Sequence, residues 1–587
     1  MDKHYTVERN TQILIALMKF HGVRKIVASP GTTNICLLGS LQSDPYFEIY
    51  SSVDERSAAF IACGLAAESG EPVALSCTGA TASRNYIPGL TEAFYRKLPV
   101  LAITACPHLG HISNGFSQAI DRSVTIKDVV KESILIDSVY SSEDEWACGV
   151  AINKALIALR RNGGGPVHIN HVTTYNGDFS VKELPKVKGI CFTESFKQMP
   201  ELSREKRIVI HVGVHRKWSE ELAKAVEEFC ELYNVVVVAN HASNYKGDYG
   251  VNPGLVFGMQ QYTSPNAHAD LVINFGSIAR YSSGVRGAEV WRVCPHGDIW
   301  DSEKKLTHVF QMDEAEFFQY YVNKAKSAPM NVEHTLVKAM QKEYEDIIKQ
   351  APEVPFSNVF VAKHTIGKLL DGSVLHIAGA NTARSWNFFE LPKGVECYSN
   401  DGTMGIDGQV SALIGESLAS PKRLHFGVVG DLTFFYDMNS VGNHHIGNNL
   451  RLMVINNGVG AEFKIYSHPA YQWAEDGDKY MAARGHYGNR SSELLKHYAR
   501  DLGYEYLSAS SKEEFLQNVE RFLTPELTDK AMIFEVFTDS KDESDAIYAM
   551  NHIVSSAEGK VKSLAVDMIK SVAGDEGIAK VKSFLKR

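Results

Sequence analysis

Gly427-Val428-Val429-Gly430-Asp431-Leu432-Thr433 closes an apolar run that begins at Leu424, and a second run, Leu452-Met453-Val454-Ile455, ends in Asn456-Asn457-Gly458. Each has the length and apolar, β-branched character of a buried strand. The interval from Asp431 to Asn457 is that of one strand-helix-strand crossover, with a helical stretch expected from Asp437. Such a crossover sets the C-terminal ends of two parallel strands side by side at one edge of a sheet. A carboxylate and an amide oxygen held there share one hard cation such as Mg²⁺, the remaining ligands being a backbone carbonyl, water and phosphate oxygens. Gly430 lets the backbone approach a diphosphate, and the helix that follows presents N–H groups to the anion. A plain Gly-Asp turn followed by an Asn-Asn turn is the competing reading.

The same rhythm extends in both directions. Val374 to Ile377 and Ala531 to Val536 belong to this block. An earlier block has Lys25 to Ala28, Val73 to Ser76 and Val100 to Thr104, with helical patterns over Ser57 to Ser69 and Ala82 to Arg96. Between them lie Arg207 to Gly213, a helix through Ala223 to Leu232, Val235 to Val238 and Leu271 to Phe275. Charged, helix-breaking stretches near Lys182 to Arg207 and near Lys349 to Ser357 part the blocks. The 587 residues are therefore expected to form an α/β protein of three doubly wound parallel-sheet domains, over 1–185, 200–348 and 356–555. A C-terminal helical tail is expected over 556–587, with Val561, Leu564, Met568 and Ile569 on one packed face.

Composition excludes several classes. Hydrophobic residues are 44% and charged residues 22% of the chain, the usage of a globular protein. A net charge of −9, from 60 basic and 69 acidic residues without a basic stripe, argues against nucleic acid. With no long apolar stretch and no signal-like start, the expectation is a cytoplasmic chain with no membrane partner. Nine cysteines at wide spacings, with no Cys-x-x-Cys pair, are expected to be reduced and mostly buried.

Around these landmarks stand Ser29-Pro30-Gly31, Asp54-Glu55-Arg56-Ser57-Ala58 with Gly64-Leu65-Ala66, Cys77-Thr78 with Asn85-Tyr86-Ile87-Pro88, Gln118-Ala119-Ile120-Asp121, and Gly405-Ile406-Asp407-Gly408. With Gly430-Asp431-Leu432 and Asn456-Asn457, they resemble the thiamine diphosphate enzymes of the group that includes acetohydroxyacid synthase and pyruvate decarboxylase. The resemblance covers nearly the whole chain and is greatest to the menaquinone-pathway succinyl-enolpyruvyl-hydroxycyclohexene-carboxylate synthases. It implies pyrimidine-binding, central and diphosphate-binding domains in that order, with thiamine diphosphate and Mg²⁺ as cofactors. It also implies a homodimer or homotetramer, because the two ends of the cofactor bind to different subunits.

By this resemblance Glu55 hydrogen-bonds N1′ of the cofactor's aminopyrimidine, shifting it toward the imino form that deprotonates thiazolium C2. That role calls for a carboxyl group in a largely apolar setting with a raised pKa. The run Ile49 to Val53 before it and an apolar helix after it suit a buried position, whereas Asp54-Glu55-Arg56 alone reads as a surface charge cluster. Thr78 and Asn85 are implied as further cofactor contacts, and Asn381, Thr382, Gly430, Leu432 and Thr433 as diphosphate contacts. Asp431, Asn457 and the carbonyl of Val459 are the implied Mg²⁺ ligands. Met404 or Ile406 is the bulky wedge under the bent cofactor.

The chain departs from those synthases where they hold carboxylated substrates with arginines. Thr33 and Asp401 stand at two such positions, and Trp386 at a third, with Arg384 close by. An aspartate in place of an arginine repels anions. The resulting expectation is decarboxylation of a small 2-oxo acid, pyruvate, with transfer of the acyl unit to an uncharged or cationic carbonyl acceptor such as a keto sugar. A simple decarboxylase releasing an aldehyde and the menaquinone-pathway synthase are the alternatives, and a catalytically silent cofactor binder is disfavoured. Gln118 matches an active-site glutamine. Glu462 is either a group facing the thiazolium or an exposed loop residue, and His108 and His111 are either proton relays or surface positions. The aromatic segment Lys464 to Arg490 reads as a mobile cover over the site. The central block carries no Gly-rich dinucleotide fingerprint, so no FAD or NAD is expected there.

Overall fold

The three β-branched rhythms become three parallel sheets in the computed structural model, which describes residues 4–277, 284–486 and 490–557. The first sheet runs in the order Glu48–Ser51, Lys25–Ala28, Val73–Cys77, Val100–Cys106, Val167–Val172, Glu132–Ile136. In the second, Gly250–Val251, Val235–Ala239, Ile208–Val212, His268–Phe275 and Arg286–Val293 pair in the same sense. The third runs Glu396–Tyr398, Val374–Ile377, His425–Gly430, Leu450–Asn456, Met532–Phe537, Glu505–Ala509. Parallel strands need helical crossovers that cover both faces, so inner strands are apolar along their length. Val100–Cys106 and Leu450–Asn456 are buried at every position. Edge strands such as Glu132–Ile136 are partly exposed and lack that continuous apolar signal.

Helix boundaries follow local chemistry. Asp54 caps Glu55–Ser69 by accepting from the Ser57 N–H at 3.0 Å, and Gly70, at φ 66°, ends it. The helix expected over Ala82 to Arg96 is two, Ala80–Asn85 and Ile87–Arg96, because Pro88 has no N–H to continue the ladder. The helix expected from Asp437 instead occupies Asp431–Tyr436, directly at the strand end, with a short 3₁₀ turn Met438–Gly442 after it. Asp437 stops it, and its carboxylate accepts from the Ser411 amide and hydroxyl, both at 2.6 Å.

The described residues form two compact units, one reaching Thr193 and including Asp298–Val309, the other comprising Glu194–Gly297 and the described residues from Phe310. In the first, separate cores around Leu14, Leu101 and Ile152 and around Ala59, Leu75 and Tyr86 flank the sheet. In the second, the two later sheets share a core: Leu255, Val256, Met259, Tyr344 and Ile347 cluster with Val359, Trp386 and Phe388. Asn244 ties the sheets together, its Nδ2 donating to the Cys397 carbonyl and its Oδ1 accepting from the Cys397 amide, both at 2.8 Å. Asn244 holds φ 55° to do so, a conformation asparagine tolerates better than most residues. The Tyr344 hydroxyl adds a bond to the Phe388 carbonyl at 3.1 Å.

Eight of the nine cysteines are buried, Cys191 is exposed, and all are free thiols. Among the described residues no helix is long and apolar enough to cross a membrane. The expected tail falls almost entirely outside the described residues, Val561, Leu564, Met568 and Ile569 included.

Asn244→Ala would strand a buried amide and a buried carbonyl of Cys397, each costing about 1–3 kcal/mol. Urea unfolding should show a loss of about 2–4 kcal/mol, and a loss below about 0.5 kcal/mol would mean that this pairing does not stabilise the junction.

Candidate active site

Strands His425–Gly430 and Leu450–Asn456 pair with Gly430 opposite Ile455, so Asp431 and Asn457 emerge beside each other at the C-terminal edge of the third sheet. Asp431 opens a helix and is buried, and its Oδ2 accepts from the Gly458 N–H at 3.0 Å. Burial pushes its carboxyl up to about 7, against the pull of main-chain N–H donors. Glu535 adds to that rise. It is a second buried acid, whose oxygens accept from Asn456 Nδ2 and the Tyr506 hydroxyl, both at 2.7 Å. In this dry corner both acids are held toward their neutral forms, and a cation would favour the charged ones. Asn457 Oδ1 accepts from the Val459 amide at 3.3 Å, and Val459 itself is buried. A Cβ on Gly430 would approach nothing closer than Thr433 Oγ1 at 3.9 Å. The strand end is therefore open toward an anion, with Leu432 half-buried and Thr433 buried on the helix beyond it.

Across the sheet, Asn381 and Thr382 begin the helix Asn381–Trp386 after strand Val374–Ile377. Ala380 enters at φ 56°, a strained conformation for a residue with a Cβ. Thr382 Oγ1 accepts from Asn358 Nδ2 at 3.2 Å. Asn381 Nδ2 donates to Glu543 at 3.3 Å, while its buried Oδ1 has no hydrogen-bond partner. As oriented, that free acceptor suits a cation, and a diphosphate would need the amide turned the other way. Met404, at φ 55°, is half-exposed and Ile406 half-buried on the loop leading to helix Gln409–Ala419.

In the first unit, Glu55 is half-buried rather than buried. It opens its helix, in which Phe60 and Ile61 are exposed, and Val53 just before it is exposed too. Its charge nevertheless reaches inward to Cys77, whose thiol burial pushes up to about 12. Gly31 packs onto Thr78 so tightly that a Cβ would lie 1.9 Å from Thr78 Cγ2, which explains why a glycine follows Ser29-Pro30. Asn85 is exposed at the end of its helix. Gln118 is exposed and holds φ 62°. His108 Nδ1 accepts from the Gly110 N–H at 3.1 Å, and His111 stacks on Phe116 with centroids 4.0 Å apart.

Glu462 meets Arg384 in a bidentate pair, both N–H···O distances 2.8 Å, both side chains less than a third exposed. Glu462 is thus neither a bare site carboxylate nor an exposed loop residue. The described part of the expected cover is built of short helical turns. Lys464 and Arg484 both pair with Asp478, and Ser544 Oγ donates to the Lys464 carbonyl at 2.9 Å. Residues 487–489 of that segment lie outside the described ones.

Comparison with known proteins finds related chains. Residues 9–125 match the family model described as "Thiamine pyrophosphate enzyme, N-terminal TPP binding domain". A Bacteroides fragilis protein named 2-succinyl-5-enolpyruvyl-6-hydroxy-3-cyclohexene-1-carboxylate synthase is 31% identical over 571 residues, covering 92% of this chain and 98% of its own. A Phocaeicola vulgatus protein of the same name is 30% identical over 93% of this chain and 99% of its own. One from Bacteroides thetaiotaomicron is 28% identical over 92% and 98%. The chain belongs to the thiamine diphosphate enzymes.

For this thiamine diphosphate enzyme those names overturn the expectation of pyruvate transfer to an uncharged keto acceptor. The error lay in reading charge from residue type without orientation. Asp401 is buried, and its Oδ1 accepts from the Ser399 hydroxyl at 3.0 Å, so its charge is engaged within the fold. A guanidinium is also present, on Arg384. Sequence reasoning missed Glu535 and Glu543. A lone acid inside Met532-Ile533-Phe534-Glu535-Val536 was a visible signal for the first, while nothing in its helical surroundings marked the second.

A double-mutant cycle on Arg384→Met and Glu462→Gln should give a coupling of about 1 kcal/mol in unfolding free energy, since the pair is bidentate and mostly shielded. A coupling near zero would mean that the two side chains do not hold each other in solution.

Proposed function

We propose that this thiamine diphosphate enzyme is a 2-succinyl-5-enolpyruvyl-6-hydroxy-3-cyclohexene-1-carboxylate synthase, of the menaquinone-pathway kind. The observation that carries the reading is similarity along essentially the full length of relatives bearing that name. A succinyl group on a cyclohexene carboxylate is the product of a decarboxylative joining. A 2-oxo dicarboxylic acid such as 2-oxoglutarate loses CO₂, its acyl carbon bonds to a ring carbon of an enolpyruvyl cyclohexadiene carboxylate, and a proton adds to the neighbouring ring carbon. When bound, thiamine diphosphate supplies the nucleophilic thiazolium carbon and accepts the electron pair left by CO₂.

The chain's own residues take these roles. Residues 1–185 form the pyrimidine-binding domain, 200–348 the central domain and 356–555 the diphosphate-binding domain. Glu55 shares a proton with the aminopyrimidine, near Thr78 and Asn85. Asp431, Asn457 and the Val459 carbonyl hold Mg²⁺, a choice supported by the buried acid there, whose charged form a cation would favour. Asn381, Thr382, Gly430, Leu432 and Thr433 cradle the diphosphate, and Met404 or Ile406 supports the bent cofactor. Gln118, His108 and His111 face the substrates. Arg384, steadied by Glu462, is the cation for a substrate carboxylate. The site is completed in a homodimer, which would cover Val53, Phe60 and Ile61 beside Glu55.

Incubation with Mg²⁺ and thiamine diphosphate should release CO₂ from 2-oxoglutarate and yield the succinyl adduct by mass when the cyclohexadiene carboxylate is present. Turnover of pyruvate alone, with 2-oxoglutarate inert, would overturn the reading. Glu55→Gln should keep cofactor binding while activity falls by roughly 10²–10⁴-fold. Asp431→Ala should abolish Mg²⁺-dependent retention of thiamine diphosphate in equilibrium dialysis, and undiminished retention would place the metal elsewhere.

A further inference from the structure

Glu543 lies fully buried on helix Ser540–Asn551. Its Oε1 accepts from the Asn358 amide at 2.9 Å and the Thr538 hydroxyl at 2.7 Å. That amide is the first of helix Asn358–Thr365, whose dipole favours an anion. The other oxygen, Oε2, accepts from Asn381 Nδ2. A carboxylate has no hydrogen to give, so Asn381 must turn its NH₂ toward Glu543 and its oxygen away. The result is the buried Asn381 Oδ1 without a partner. A diphosphate oxygen is also an acceptor, and this orientation of the amide offers it nothing.

We propose that Glu543 is a positioning residue for the cofactor's diphosphate: carrying a proton on Oε2, it donates to Asn381 Oδ1 and so turns Asn381 Nδ2 toward the diphosphate oxygens. The inference rests on the reading that Asn381 lines the diphosphate site. The reorientation exchanges the ends of a planar amide, breaks the Asn381 Nδ2–Glu543 bond and forms two others. The proton comes from solvent when the cofactor binds. Thr538 and Asn358 stay bonded to Oε1 in both arrangements, so the carboxyl does not move.

The environment suits a group that changes protonation. Burial pushes the Glu543 carboxyl up to about 7, and Asp542 of its own helix adds to the rise. From the packed elements it is faced by the Asn358 amide, the Thr538 hydroxyl and the Asn381 amide, all of which favour the anion. Because the cofactor-binding form is the protonated one, affinity is greatest below about pH 7 and declines as the proton is lost.

The test is the dissociation constant of thiamine diphosphate at saturating Mg²⁺, by tryptophan fluorescence or calorimetry, from about pH 6 to about pH 9. Glutamine carries a permanent N–H₂ in the place of the proton, and Asp431 is present unchanged in every protein compared. The wild-type constant should weaken by roughly tenfold per pH unit above neutrality relative to Glu543→Gln, which lacks this component. Parallel profiles for the two proteins would overturn the proposal. Asn381→Ala should bind at least tenfold more weakly at low pH and also lose the Glu543-linked slope. Unchanged affinity in Asn381→Ala would instead refute the diphosphate assignment itself. Should Glu543→Gln fail to fold by circular dichroism, Asn381→Ala decides alone, since a retained wild-type slope in it overturns the proposal.

Discussion

The Gly458 N–H donating to the buried Asp431 carboxylate is the contact on which the rest of the site is built. It joins the ends of two parallel strands across the gap where main-chain pairing stops. It folds the Asn457 to Gly460 turn onto the start of helix Asp431–Tyr436. Gly458 stands at φ 71°, which a residue without Cβ adopts at no steric cost. The positions of Asn457 and Val459 follow from that turn. Burial and the neighbouring Glu535 hold the same carboxyl toward its neutral form.

Much of the fold was legible because buried parallel strands advertise themselves. Val235 to Val238, Leu271 to Phe275 and Leu452 to Ile455 are apolar because helices cover both faces, and such runs survive any reading of the chain. Edge strands such as Glu396–Tyr398 and Glu505–Ala509 carry charge and escaped notice for the same physical reason. One landmark was legible where close packing restricts the residue, as at Gly31 against Thr78. The join between the second and third sheets was not, because it depends on one side chain, Asn244, pairing with the main chain of Cys397 far along the sequence.

Substrate character was the least legible property. Thr33 and Asp401 in place of arginines pointed away from carboxylated substrates, whereas the relatives are named for a cyclohexene-carboxylate synthase. The difference lies in where a carboxylate is aimed. Asp401 is folded inward against Ser399, and Glu462 is bound by Arg384, so neither projects a bare negative charge. Net charge at a motif position is therefore a weaker guide than the hydrogen bonds that engage it.

The shared core and the Asn244–Cys397 pairing also bear on how such a protein can evolve. The second sheet supplies Asn244, Leu255 and Met259 to a boundary whose other half is Trp386, Phe388 and Cys397. Recombination between diverged relatives that exchanged one sheet without the other would set mismatched surfaces against each other. The two are expected to be inherited as a single block.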